Sequence, residues 1–139
     1  MNAEIWGPHA WMFLHSITLV YPHQPTTDEQ QKYYNFFENL QYILPCEICK
    51  SHYKQHLIDY PLMDNLNSKD SLIRWLINVH NKINLMNGKP EWTYQEVIDH
   101  YDKIYENPYI KLRNNTGLWI FLLLIGLFIC IYYIKKKKK

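Results

Sequence analysis

The sequence predicts an all-α fold: a four-helix bundle with a short fifth helix, followed by an apolar helix near the C-terminus. Three observations carry this. Apolar residues recur every three or four positions, prolines and capping patterns divide the chain at helix-length intervals, and no stretch alternates apolar with polar residues as a half-buried strand does. The first helix is expected over 8–20, with Trp11, Leu14, His15 and Thr18 on one face and Pro22 and Pro25 beyond its end. The second opens at Thr27, with Gln30 three residues on in a capping-box pattern, and lines up Tyr33, Phe37, Leu40 and Leu44. Pro45 starts a third, which runs through Cys46 to about Asp59 and stops before Pro61. The fourth begins near Ser68 and carries Leu72, Leu76, Val79, Ile83 and Met86. A second capping-box pattern, Thr93 with Glu96, opens the fifth, whose apolar positions are Val97, Tyr101 and Ile104.

With 139 residues, 47% hydrophobic and 16% aromatic, the chain has material for one small domain. Its four glycines form neither G-x-G-x-x-G nor G-x-x-x-x-G-K, which excludes the Rossmann and P-loop ways of holding a nucleotide. The net charge of +2 conceals a division by position. Five of the 15 basic residues form the run Lys135–Lys139, so residues 1–117 hold ten bases against 13 acids and are net −3. A nucleic-acid-binding domain is basic over its folded part, so this composition excludes one.

Residues 118–134, LWIFLLLIGLFICIYYI, contain no charge, and with Thr116 and Gly117 they make about 28 Å of helix. Trp119 at one end and Tyr132 and Tyr133 at the other match interfacial aromatic belts. The expected organisation is therefore a domain over 1–110, a linker over 111–117, a single transmembrane helix over 118–134 and a basic tail over 135–139. The lysine run favours the cytosolic side for the tail. The N-terminus has no signal-peptide pattern, which favours the cytosol for the domain. These point in opposite directions, and the side stays open.

Of three cysteines, Cys130 falls in the apolar segment. Cys46 and Cys49 form a C-x-x-C at a helix start, where unsatisfied N–H groups and the helix dipole favour a thiolate and one turn brings the second sulfur within disulfide reach. Two chemistries fit these residues. One is dithiol redox exchange. The other is zinc, because Cys46, Cys49, His52 and His56 offer four ligands within eleven residues, although ligands on one continuous helix converge poorly.

The wider pattern comprises Trp11-x-x-x-His15 followed by Tyr21-Pro22, then Cys46-Glu-Ile-Cys49, then Trp75-Leu-Ile-Asn-Val-His80-Asn81-Lys-Ile-Asn84 with Gly88-Lys89-Pro90. In this order, over residues 3 to 106, it resembles the FAD-linked sulfhydryl oxidases of the Erv/augmenter-of-liver-regeneration family. An aromatic ring and an imidazole one turn apart on a helix suit adenine, and His80, Asn81 and Asn84 cluster at one-turn spacing with donors and acceptors. The resemblance implies that Gly7, Trp11, His15, Tyr53, His80, Asn81, Asn84, Lys89 and Tyr101 hold FAD, with Lys89 at its phosphates and Tyr53 near the isoalloxazine.

It further implies a catalytic pair. Cys46 exchanges with a protein dithiol, thioredoxin-like or otherwise of C-x-x-C type, while Cys49 passes the electrons to FAD and thence to molecular oxygen, giving H2O2. A non-covalent homodimer is implied as well. The chain departs from many relatives in having no cysteines for a second, shuttle dithiol or for a disulfide tying helices together, and Pro8, Leu85 and Met86 stand where basic residues are common. This minimal form is similar to members from large DNA viruses. The alternative that the residues alone leave open is a membrane-anchored zinc adaptor using Cys46, Cys49, His52 and His56.

Overall fold

A computed structural model describes residues 1–106, 121 and 123–127. They form α1 (Ala3–Leu19), α2 (Thr27–Ile43), α3 (Glu47–Asp59), a 3-10 helix (Leu62–Asn65), α4 (Lys69–Met86) and α5 (Tyr94–Tyr105), with no strand among them. The chain divides into one unit over Met1–Val97 and a second over Ile98–Lys139.

Each helix start has a chemical cause. The Asn2 side chain accepts from the Glu4 N–H, so α1 begins five residues before the expected Pro8, which lies inside the helix. Proline there removes one donor, but Glu4, whose carbonyl loses its partner, is exposed to water. Helix α2 is capped one residue earlier than expected. Thr26 and Glu29 form a reciprocal box, with the carboxylate accepting from the Thr26 N–H at 2.8 Å. Ser68 caps α4 through the Ser71 N–H, and Thr93 with Glu96 caps α5 as the sequence indicates.

In the first unit α1 packs on α4 and α2 on α3, while the 3-10 helix packs on both α4 and α2. The core joins Leu14 and Tyr21 to Phe37, Tyr53, Leu72, Trp75, Leu76 and Val79. Phe37 meets Trp75 edge-on at 5.2 Å, and the Trp75 indole donates to the Tyr60 carbonyl, which fastens the end of α3 to α4. The 3-10 helix, which the sequence did not announce, supplies Leu62, and Leu66 just beyond it receives the Tyr21 hydroxyl on its carbonyl at 2.7 Å.

One expectation is corrected. No helix among the described residues is long and apolar enough to cross a membrane, which overturns the single-pass anchor and the membrane localisation that followed from it. Helix α4, at 18 residues, carries Lys69, Asp70, Arg74 and Lys82, and the remaining described helices have 17 residues or fewer. A bilayer needs about 20 predominantly apolar residues. Within 118–134 the described helical residues are only 121 and 123–127. The rest of that segment, Cys130, the linker 111–117 and the lysine run lie outside the described residues.

Candidate functional site

Two groups of side chains stand on the core of the first unit. The first is at the start of α3, where Cys46 is the N-cap residue in extended conformation and its sulfur accepts from the Cys49 N–H at 3.3 Å. Cys46 and Cys49 are joined in a disulfide with Cα atoms 5.1 Å apart. Both are half-buried, so the bond lies at the boundary between core and solvent. The helix N-terminus beneath it presents its unsatisfied N–H groups to whichever sulfur becomes a thiolate.

Along the inner face of α3, one and two turns further on, lie Tyr53 and His56, both buried. The Tyr53 hydroxyl donates to the Phe37 carbonyl of α2 at 2.9 Å, and burial holds that phenol far above its ordinary pKa. Tyr53 therefore braces the disulfide-bearing helix through a neutral hydroxyl. Both ring nitrogens of His56 are buried without a hydrogen-bond partner, and burial lowers its pKa. With the cysteine sulfurs bonded to one another and His56 turned into the core, zinc chelation by Cys46, Cys49, His52 and His56 is not supported.

The second group joins α1 to α4. Trp11 stacks on His80 at 3.9 Å between ring centroids and 8° between planes. His15, one turn after Trp11 and 2% exposed, shares a 3.0 Å hydrogen bond between its Nε2 and His80 Nδ1. Burial, with the Lys89 charge adding to it, pulls the His80 pKa down to about 4, so this ring is neutral at pH 7. Trp11 and His80 thus form a parallel stack whose imidazole carries no charge.

The other expected residues take separate positions. Asn81 turns towards the α4–α5 connection. Its amide donates to the Trp92 carbonyl at 2.8 Å and accepts from the Trp92 N–H at 2.9 Å. Asn84 is buried in the last turn of α4, and its carbonyl receives the Lys89 N–H at 2.8 Å. Gly88, at φ +66°, gives its N–H to Leu85, which completes a Schellman cap and fixes the backbone at Lys89. The Gly-Lys-Pro sequence thus has a local geometric purpose. Tyr101 belongs to the second unit, where it is buried, lies in a stacked arrangement with Tyr105 at 6.4 Å and has its pKa pushed up to about 12, first by burial and then by Tyr105.

These residues fit the planar, polar cofactor that the resemblance implies. Buried polar atoms are normally paired, so an unpaired set calls for a further partner. Trp6 Nε1 on α1 and both His56 nitrogens are such a set. A Cβ placed on Gly7 would meet no protein atom within 4 Å, leaving that backbone open to close approach. Trp6 went unnoticed in the sequence, and His56 entered only as a zinc ligand. The available signal was the spacing of Cys49, Tyr53 and His56, which share one helix face.

Comparison with known proteins supports the same reading. A probable FAD-linked sulfhydryl oxidase of Acanthamoeba polyphaga mimivirus is 41% identical over 104 residues, covering 74% of this chain and 73% of that protein. The mitochondrial FAD-linked sulfhydryl oxidase ERV1 of Saccharomyces cerevisiae is 29% identical over 91 residues, and the match spans 47% of its length. Among solved structures, the yeast Erv1 core has a TM-score of 0.65 at 25% identity, over 77% of this chain and 86% of that one. The FAD-binding domain of Saccharomyces cerevisiae Erv1 has a TM-score of 0.63 at 29% identity, over 67% and 87% respectively. The Erv1/Alr family model matches residues 8–105, which include the disulfide and both members of the Trp11–His80 stack, and the chain belongs to that family.

Proposed function

We propose that the Cys46–Cys49 disulfide is the entry point for electrons in an FAD-linked sulfhydryl oxidase. The carrying observation is its placement, half-buried on the N-terminus of α3 with the braced Tyr53 one turn below. The chain is a thiol oxidase that takes FAD and converts protein thiols to disulfides.

A substrate thiolate attacks the Cys46 sulfur. The bond between Cys46 and Cys49 breaks as the mixed disulfide forms, and Cys49 leaves as a thiolate at the positive end of the helix. The second substrate thiolate attacks the substrate sulfur of that mixed disulfide and releases Cys46. The product is a substrate disulfide, and two electrons remain on the reduced pair. FAD, when bound, supplies the two-electron oxidation that restores the disulfide and passes the electrons to oxygen, yielding H2O2. Gly7, Trp11, His15, His80, Asn84 and Lys89 are the residues of the first unit we assign to holding it, with neutral His80 as the polar contact within the stack. Asn81 acts on that site by fixing the 87–93 connection.

The preferred partner is a thioredoxin-like or other C-x-x-C protein, since no shuttle dithiol is present among the described residues. A homodimer is supported by apolar side chains left exposed on α1, Met12 at 42% and Phe13 at 59%. The catalytic part is residues 1–110.

The test is the visible spectrum of the purified full chain together with oxygen uptake on dithiothreitol. A bound-flavin spectrum and one H2O2 per pair of thiols are expected. A colourless protein that consumes no oxygen would refute the assignment.

A further inference from the structure

A groove of about 380 Å³ runs between α2, α3 and the 3-10 helix, away from the α1–α4 stack. Tyr34, Tyr42, Ile58 and Met63 give it apolar walls, and Glu38 and Lys54 place one charge of each sign along it. Its Tyr42 end lies only four residues before Cys46. At that end Tyr42 is 66% exposed, and Ile48, between the two cysteines, is itself 65% exposed. Ile58 and Met63 continue the exposure towards the far end at 63% and 54%. Large apolar side chains left in solvent along one groove mark a surface that another molecule covers, and Tyr42, Ile58 and Met63 are three of its lining residues.

We propose that this groove binds an extended, apolar segment of the thiol substrate next to its reacting cysteine, and so selects which cysteines reach Cys46. The inference rests on the oxidase reading. The occupant follows from the groove's position and size. Any productive substrate must bring a sulfur into bonding distance of Cys46, so its neighbouring residues meet Ile48 and the Tyr42 end of the groove first. A volume of about 380 Å³ is that of a small-ligand cleft and admits a few side chains of an extended strand, whereas a folded face would bridge over it. The opposed charges of Glu38 and Lys54 give no preference for an acidic or basic peptide and leave apolar contact as the selective feature. The lining includes no residue of α1 or α4, which separates this surface from the Trp11, His15 and His80 cluster.

The experiment measures oxygen uptake by the full-length holoprotein and by the double variant Tyr42→Ser, Ile58→Ser. Both positions are exposed, so the fold has little to lose. Three thiols are compared: dithiothreitol and two synthetic C-x-x-C peptides, one flanked by Leu and Phe and the other by Ser. The wild type should favour the apolar peptide by about tenfold in kcat/KM, mainly through KM, from the burial of two or three side chains. The double variant should lose that preference while its rate with dithiothreitol stays within about twofold. Equal rates on both peptides in the wild type, or a preference that survives in the variant, would overturn the proposal. So would a parallel loss on dithiothreitol, or a change of oligomeric mass, which would assign the groove to a second copy of the chain. Wild type that oxidises none of the three would refute the oxidase reading itself, and this inference with it.

Discussion

His80 Nδ1 and His15 Nε2 lie 3.0 Å apart, so one nitrogen holds the shared proton and the other must accept it. A second proton on His80 would place charge inside the buried Trp11 stack. The sign of the pH dependence follows from its lowered pKa. In the unfolded chain the imidazole takes up a proton as the pH falls through 6.5, whereas in the fold it stays neutral down to about 4. The unfolded state therefore binds more protons across that window, and stability falls as the pH is lowered from about 6.5 towards 4. His56, lowered in the same direction, adds to the slope. Thermal melts over this range should show a falling Tm that flattens in His80→Ala, and the same variant should retain less flavin after gel filtration. A His80→Ala protein with full flavin content and the parent pH profile would contradict the assigned contact. At the disulfide, Cys49→Ser should remove thiol oxidation and leave the flavin spectrum in place, because the stack is built on α1 and α4. Dithiothreitol oxidation at the parent rate would overturn the relay.

Helix starts show why some boundaries were legible and others were not. Thr26-x-x-Glu29 and Thr27-x-x-Gln30 are overlapping patterns, and the apolar period alone does not separate them. The structure takes the one with the charged acceptor, whose carboxylate also faces the positive end of α2. Pro8 resembles a first helical residue, yet the Asn2 cap six residues earlier extends α1 through it. The 3-10 helix is too short to show a period. The faces of α1, α2 and α4 were readable because burial selects one stripe of a helix, as Leu14, Phe37, Leu72, Leu76 and Val79 all do. Asn81 illustrates the limit for the site: its spacing with His80 and Asn84 suggests a ligand contact, but its amide is used on the Trp92 backbone eleven residues away. At the end of α4 the left-handed Gly88 admits no side chain without strain, so Gly88→Ala should cost about 1 kcal/mol in urea melts and also weaken flavin binding by displacing Lys89. Ser68→Ala, a cap on the same helix far from Lys89, should cost a similar amount of about 1 kcal/mol with flavin affinity unchanged. If both variants lowered flavin affinity equally, the Schellman cap would have no special part in placing Lys89.

Over the whole molecule, the disulfide and the cofactor act on stability by different routes. A disulfide stabilises chiefly by shortening the unfolded chain's loops, and the loop closed between Cys46 and Cys49 holds two residues, Glu47 and Ile48. Its reduction adds almost no freedom to the folded state and restores little to the unfolded one. FAD bound only to the folded chain adds stability by mass action, about 2.7 kcal/mol at a hundredfold excess over Kd. The redox centre is therefore expected to cycle between disulfide and dithiol without loosening the helices, and bound FAD to be the larger contribution to stability. Four melts test this: holo and apo protein, each with and without a phosphine reductant. Reduction should move Tm by no more than about 2 °C in either form, which at this size corresponds to well under 1 kcal/mol. Removal of FAD should lower it by several times that. A large drop on reduction of the holo protein, or apo and holo forms melting together, would mean that the C-x-x-C pair, and not the cofactor, ties the fold.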